Sequence, residues 1–395
     1  MKIYLAGQQT LANRGCEALV VSTMQMLSSV SPNVRFVIPS TDIDRDSEAI
    51  ARYDFDNYKF AKAPRITFSI RLWNRLMRYI PLLASVWVPR AMAWPRETLE
   101  ELRGCDCALH IGGDTFSYDY SYAGLISNTA QIDHIAKLGI PQEIWCATVG
   151  PFSECKSLER EVLKKLRKLE RITVREKASQ DYLETNGLRA QIVSDPAFNL
   201  TPGDGFAEGL DGSRQRIALN ISPYIYRGNT KATVDKCIKS FVAKRLTEGF
   251  DIALISHVNT ATSSDSRVIQ DVLGEFLEQE NVHVIPTDLS AAEYKGIVSK
   301  SDYVVASRTH VTIAGFSTAT PVLSIAYSAK APRLNAFLFG HESFTIKSSE
   351  LSEKNLEDTF QRIVDNKEEI SETLTNKSAE LRVAFQKLCE SVTVE

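Results

Sequence analysis

Arg308, His310 and Lys330 are two permanent cations and a titratable ring placed at the ends of two neighbouring β-rich runs. The first run, Val304-Val305-Ala306-Ser307, passes directly into Arg308-Thr309-His310-Val311-Thr312-Ile313-Ala314-Gly315, the pattern of a buried strand entering a helix. At such an entrance unpaired backbone N–H groups and the positive end of the helix dipole favour an anion. The planar fork of an arginine matches a carboxylate or a phosphate. His310, in the first turn, is expected to stay largely neutral beside that positive end until an anion binds, and then to become an acid. Ser324-Ile325-Ala326-Tyr327-Ser328-Ala329-Lys330 repeats the layout and delivers a lysine. Singly, the cations read equally well as solvated loop residues and His310 as an ordinary helix-start residue. Together, at adjacent strand ends, they favour one shared anion site.

In open α/β sheets ligands gather beyond the carboxyl ends of strands. That rule adds Ser222, His257 and Ser328 to Arg308, since each stands at or just past an expected strand end. In the first half, Gly112 and Gly113 follow the run Leu109-His110-Ile111, where backbone can approach a ligand closely; a tight turn is the plain alternative. Asp114 comes next, as a base for a hydroxyl or as a turn cap. Asn13, Arg14 and Gly15 form the mouth of a loop before a helix. Arg175 ends a strand and is followed by Glu176, so it is read either as an ion pair with that neighbour or as an anion contact. His110, inside an apolar strand, is expected to be a core residue.

The elements that must position these residues alternate, short β-rich runs with helical patterns, as in parallel sheets wrapped by helices. Strands are expected at Ile3–Gly7, Arg35–Pro39, Ala108–Gly112, Ile144–Val149, Ile172–Arg175 and Gln191–Ser194, then at Ile217–Ser222, Ile252–His257, Val282–Pro286, Tyr303–Ser307 and Val322–Tyr327. Helices are expected from about Glu17, Ala123, Leu158, Lys177, Lys231, Ser266, Ala291 and His310. The Gly/Asp-rich stretch from Thr201 through Gly205 to Gly209 and Gly212 is the expected linker. The chain therefore divides into an N-terminal domain, residues 1–203, a C-terminal domain, residues 204–345, and a polar helical segment, residues 346–395, with an apolar stripe that packs on the first domain.

With 395 residues, 44% hydrophobic and 24% charged, the chain is long enough for two domains. A net charge of -3 argues against a general nucleic-acid binder. Seven scattered cysteines without a CxxC pair fit reduced thiols in a cytoplasm and no zinc site. The start MKIYLAGQQT lacks the apolar core of a signal peptide, and no apolar run approaches the roughly 20 residues that span a bilayer. One segment is unlike the rest: residues 57–96 contain no acid but hold Lys59, Lys62, Arg65, Arg71, Arg75, Arg78, Arg90 and Arg96 with Trp73, Trp87 and Trp94. A helix through Ile66–Ile80 would place Arg71, Arg75 and Arg78 on one face. It is read either as an ordinary amphipathic helix with a solvated basic face, or as a contact with an anionic membrane in which Trp73 and Tyr79 sit near head-group depth. The expected location is cytoplasmic, soluble or peripheral on the inner face of the membrane.

The motifs, in order, resemble the polysaccharide pyruvyl transferase family over most of the chain. They are Asn13-Arg14-Gly15-Cys16-Glu17-Ala18, Gly112-Gly113-Asp114-Thr115-Phe116, Gly150-Pro151-Phe152, Arg175-Glu176, Asp195-Pro196-Ala197-Phe198, Asn220-Ile221-Ser222-Pro223-Tyr224 and, most specific, Ser307–Ser317 followed by Pro321–Lys330. Asp114 stands where that family commonly has a third glycine, Cys16 where an acid is common, and Ser256 where proline is usual. The resemblance implies an α/β protein with two Rossmann-like doubly wound domains, GT-B-like, and a C-terminal helix crossing back to the first. It implies transfer of the pyruvyl group of phosphoenolpyruvate onto two hydroxyls of a sugar, in a polysaccharide or a lipid-linked oligosaccharide, with no cofactor and no metal. On that reading Arg308 and Lys330 hold the donor, with Arg175, Ser222, His257 and Ser328 as further contacts. His310, Arg308 and Asp114 are catalytic, and Asn13, Arg14, Gly112 and Gly113 face the acceptor. Two other readings share the same elements: a GT-B glycosyltransferase using a nucleotide sugar, and a non-catalytic glycan-binding or membrane scaffold.

Overall fold

The computed structural model describes residues 1–77, 79, 92–118, 122–204, 214–260 and 263–393. Arg78, Ile80, Trp87 and Arg90 of the basic segment, and Gly205, Gly209 and Gly212 of the expected linker, lie outside the described residues.

Runs such as Tyr303-Val304-Val305-Ala306 are buried along their whole length, which is what a strand in a helix-covered parallel sheet requires. The first unit comprises Met1–Ala12, Leu19–Pro196 and Ala384–Glu395. Its strands are β1 (Lys2–Ala6), β2 (Arg35–Ser40), β3 (Tyr58–Lys62), β4 (Cys107–Ile111), β5 (Gln142–Ala147), β6 (Arg171–Val174) and β7 (Gln191–Ile192). They form one parallel sheet in the order β3-β2-β1-β4-β5-β6-β7. The second unit comprises Asn13–Ala18 and Ala197–Val383. Its strands are β8 (Arg216–Asn220), β9 (Asp251–Leu254), β10 (Val282–Val284), β11 (Tyr303–Ala306), β12 (Val322–Ala326) and β13 (Thr345–Lys347), parallel in the order β10-β9-β8-β11-β12-β13. Both sheets are Rossmann-like, and the direction of strand succession reverses between β1 and β4 and between β8 and β11. Those reversals are the switch points where loops diverge and ligands fit.

The division differs in place from the sequence expectation. It falls at Pro196/Ala197 because the following residues are tied into the second unit: Lys295 Nζ donates to the carbonyls of Ala197 and Phe198 at 3.1 and 3.0 Å, and Gly203 N donates to Ala292 O at 2.8 Å. Asn13–Ala18 also belongs to the second unit. There the buried Glu17 accepts from Ala291 N at 2.9 Å, and Arg14 Nη2 reaches Asp288 O at 3.3 Å. The last helix, Lys367–Thr393, belongs to the second unit through Val383 and to the first from Ala384. Phe385, Leu388, Cys389 and Val392 join Val20, Met24 and Trp145 in the core of the first unit, with Phe385 edge-on to Trp145 at 5.7 Å.

In the basic segment, Arg65–Ile66 pairs antiparallel with Met92–Ala93, and a helix runs Phe68–Met77. Trp73 does not reach the surface as the membrane reading expected. It is 1% exposed and packs with Ile70, Phe116, Leu125 and Ile126, because the helix turns that face into the domain core.

Candidate functional site

The switch point of the second sheet is built by the ends of four adjacent strands. Ser222 follows β8, His257 follows β9, Arg308 follows β11 and Ser328 follows β12, so the strand-end residues expected from the sequence belong to neighbouring strands. Two of them are locked by neighbouring side chains: Oδ1 of Asn220, the last residue of β8, accepts from Arg308 N at 3.0 Å, and Ser307 Oγ accepts from Ser222 N at 2.7 Å. The Ser222 hydroxyl caps the short 3-10 turn Pro223–Tyr226 by accepting from Tyr224 N, so that oxygen has a structural task. Arg308 caps the helix Thr309–Ser317 with extended backbone, and its side chain is committed: Nε and Nη2 lie 3.1 and 2.7 Å from Asp265 Oδ1, and Nη2 also donates to Ser263 Oγ at 2.8 Å. Asp265, fully buried, further accepts from Asn220 Nδ2 and from the backbone N–H groups of His257 and Val258. One carboxylate therefore fixes both the arginine and the His257 loop. Above Arg308 lies the ring of Tyr224, 5.3 Å from the guanidinium carbon, with Arg227 at 4.4 Å from the same ring and Tyr327 at 5.1 Å. Lys330 is the first residue of the helix Lys330–Phe339 that follows β12.

His310 occupies the first turn of the helix Thr309–Ser317, half-buried, its ring parallel to that of His257 at 6.3 Å and 2°. The loop Asn13–Gly15 comes to the same place. A Cβ on Gly15 would lie 2.3 Å from His310 Nδ1, so the ring rests on the bare backbone of a glycine. Asn13 Oδ1 accepts from Gly15 N at 2.8 Å and holds that helix start, while Arg14 Nη1 pairs with Glu17 at 2.6 Å. His257 is 7% exposed, and its pKa is driven well below the ordinary histidine value by burial first, then by His310, Arg308 and Arg14. The positive potential of this corner is thus felt by the one imidazole that is packed inside it. Behind the two rings is a cavity of about 20 Å³, room for a water-sized group, lined among others by Ala18, Leu200, Tyr294 and Lys295.

The first unit holds the remaining candidates. Arg175, 8% exposed, donates to Asp114 Oδ1 and Asp195 Oδ2, each at 2.5 Å, and to Thr148 Oγ1 at 3.0 Å. Burial alone would lower its pKa; Asp114, Asp195 and Glu176 outweigh that and hold it above the ordinary arginine value. The expected ion pair with Glu176 is therefore replaced by two partners from distant loops, and Glu176 instead accepts from Ser179 Oγ. Gly112 and Gly113 follow β4 at the first sheet's switch point. A Cβ on Gly113 would lie 2.5 Å from Arg175 Nη1, so the close approach that needs a glycine there is made by the arginine. Asp114, read as a base, already accepts from that same guanidinium. His110 is a core residue as expected, fully buried, with Nε2 at 2.9 Å from Gln142 Oε1 and its pKa pushed down to about 4 by burial.

Asp265, Tyr224, Arg227 and Lys295 were not anticipated. Only Tyr224 carried a signal, since it closes the run Asn220-Ile221-Ser222-Pro223-Tyr224.

The chain resembles solved structures of two kinds. It aligns with a UDP-N-acetylglucosamine 2-epimerase at 14% identity and a TM-score of 0.60, covering 100% of this chain and 96% of the other. It aligns with the Neisseria meningitidis UDP-GlcNAc 2-epimerase bound to UDP-GlcNAc at 14% identity and a TM-score of 0.57, covering 95% and 94%. It aligns with the Anabaena protein HepE in complex with UDP and glucose at 12% identity and a TM-score of 0.55, covering 100% and 98%. At these identities the likeness is one of fold, two Rossmann-like domains of the GT-B type. No curated protein matches the sequence. A profile described as polysaccharide pyruvyl transferase matches residues 13–329.

Proposed function

Because the chain belongs to the polysaccharide pyruvyl transferase family, we propose that its second unit binds phosphoenolpyruvate and that the pyruvyl group is delivered to two hydroxyls of one sugar as a cyclic ketal. The observation that carries this reading is the gathering of Arg14, Arg308, His257 and His310 at the switch point of the second sheet, beside the start of the helix Thr309–Ser317.

Phosphoenolpyruvate carries a carboxylate and a phosphate on one small carbon frame, and a cationic corner at a helix N-terminus suits both. Arg308, held in one rotamer by Asp265, Lys330 at the next strand end, and Arg14 are the proposed holders. His310 is the proton donor. Its proton goes to the methylene carbon of the enol, which becomes a methyl group, while the first sugar oxygen bonds to the central carbon and its proton returns to the imidazole. The second hydroxyl oxygen then bonds to the same carbon as the carbon–phosphate oxygen bond breaks, and its proton leaves with phosphate. His257, kept neutral by its surroundings, orients the donor as a hydrogen-bond partner rather than adding a charge. For the acceptor we assign the turn Gly112–Asp114 in the first unit, where Asp114, fixed by Arg175, orients a hydroxyl rather than taking its proton. The acceptor is a sugar of a polysaccharide or of its lipid-linked oligosaccharide precursor.

A thermal-shift series tests the donor. Stabilisation by phosphoenolpyruvate, and none by UDP or CMP, is expected. The reverse pattern would replace this reading with transfer from a nucleotide sugar. With donor and a glycan precursor extract, His310→Ala should lower phosphate release by about 100-fold or more. Near-normal release would remove the proposed proton transfer.

A further inference from the structure

A helix on the surface of a soluble domain has one apolar face, turned inwards. The helix Phe68–Met77 has two. Ile70 and Trp73 are buried in the core of the first unit, at 0% and 1% exposure. At four-residue spacing on the opposite side stand Phe68, Leu72 and Leu76, 79%, 48% and 42% exposed, and Tyr79 follows at 80%. Ile66, on the ribbon strand just before the helix, is also exposed. Five of the seven large hydrophobic side chains exposed among the described residues therefore fall between positions 66 and 79, the other two being Val284 and Val383. Scattered apolar side chains need no explanation, whereas a contiguous stripe of this kind marks a contact surface.

Its charge says what the contact is. Among the described residues elsewhere in the segment, the cations have protein partners: Lys59 and Lys62 pair with Glu101 and Glu97, and Arg96 with Glu100. Arg65, Arg71 and Arg75, which flank the exposed stripe, are themselves exposed and make no ion pair with a described residue. No acid occurs from residue 57 to residue 96 to compete for them. On a helical projection Arg71 and Arg75 lie along one margin of the Phe68-Leu72-Leu76 stripe. Apolar and aromatic side chains backed by unpaired guanidinium groups are the composition of a helix that lies in the plane of an anionic bilayer, its apolar side chains at acyl depth and its arginines among the phosphates. Among the described residues no helix is long and apolar enough to cross a membrane.

We propose that the stripe Phe68, Leu72, Leu76 and Tyr79, with Arg65, Arg71 and Arg75, docks the protein on an anionic phospholipid bilayer. The proposal is independent of the donor reading and would place the acceptor, if lipid-linked, on the surface to which the enzyme binds.

The full-length protein is sedimented with phosphatidylcholine vesicles with and without phosphatidylglycerol. Binding is expected only with phosphatidylglycerol, at low salt, and to fall at high salt as the charges are screened. Each arginine near the surface contributes about fivefold to the partition coefficient, so Arg71→Glu/Arg75→Glu should lower it at least about 25-fold. Leu72→Ser/Leu76→Ser should also release the protein while leaving phosphoenolpyruvate stabilisation and near-UV circular dichroism as in the parent, since both leucines are exposed. Absence of sedimentation with phosphatidylglycerol at low salt, equal binding of parent and variants, or a protein dimer that Leu72→Ser/Leu76→Ser dissolves without any vesicle binding would each overturn the proposal.

Discussion

Replacing Gly15 by alanine adds one methyl group at the wall of the proposed donor site. Gly15 lies in the first turn of the helix Arg14–Val30, a backbone that alanine also adopts, so the cost of the change lies in the contact with His310. The added Cβ would stand 2.3 Å from His310 Nδ1 and 2.7 Å from Cγ and Cε1, whereas ordinary contact begins at 3.4 Å. The imidazole must therefore withdraw by about 1.1 Å, or the helix start must lift by as much. A misplacement of about 1 Å at a reacting group costs on the order of 100-fold in rate, or about 2.7 kcal/mol of barrier. Gly15→Ala should thus release phosphate from phosphoenolpyruvate about 100-fold more slowly than the parent while keeping the parent's far-UV circular dichroism. Two further readouts isolate the contact. The His310 imidazole resonances should move in Gly15→Ala, and in a His310→Ala background the additional Gly15→Ala change should leave phosphoenolpyruvate stabilisation as it was, because the clash has gone. Parental turnover together with unmoved His310 resonances would refute the reasoning.

Asp265→Ala leaves the Arg308 guanidinium buried without its carboxylate and strips an acceptor from two backbone N–H groups; a loss of about 3–5 kcal/mol in a urea titration is expected, with weakened phosphoenolpyruvate binding. His110 makes stability fall with acid. Its folded pKa, about 4, lies below the 6.5 of a free histidine, so the unfolded chain takes the proton first as pH drops, and up to about 3 kcal/mol is lost between pH 6.5 and 4. His257 adds to that loss in the same direction, and urea midpoints measured across the range would check both. Cys105 and Cys107, pushed up to about 12 by burial, should resist iodoacetamide at pH 8 in the folded protein, while the half-buried Cys155 reacts; mass spectrometry of the labelled peptides decides.

The central strands were legible in the sequence because burial on both faces leaves an unbroken apolar run, as in Ile217–Leu219 and Val304–Ala306. The edge strands were not. β3 reads Tyr-Lys-Phe-Ala-Lys, half-exposed, and β13 has three residues, so neither carries that run. The strand-end rule set Ser222, His257, Arg308 and Ser328 beyond neighbouring strands for a physical reason: in a parallel sheet every loop beyond a carboxyl end opens on the same side. It could not find the partners. Asp265 reaches Arg308 across 43 positions, and Arg175 reaches Asp114 across 61, distances over which a sequence offers no periodicity to follow. The adjacent acid, Glu176, was the natural guess for Arg175 and lost to carboxylates delivered by two other loops. The resemblance sets Asn13 and Arg14 on the acceptor side; in the structure Arg14 reaches Asp288 O and Glu17 accepts from Ala291 N, which ties this loop to the second unit, a link that its N-terminal position in the sequence does not show.

Arg14 and Arg308 each arrive with a carboxylate of their own, Glu17 and Asp265. Seen from a distance each pair is a dipole, whose field dies away much faster than that of a lone charge. These two arginines therefore exert little long-range pull at the proposed donor site, and their hold on an anion there depends on fit at contact distance, with a contribution to the association rate that ionic strength should barely alter. Arg65, Arg71 and Arg75 have no such companions among the described residues. A single salt titration should accordingly separate the two, abolishing attachment to vesicles well before it weakens the grip on the small anion.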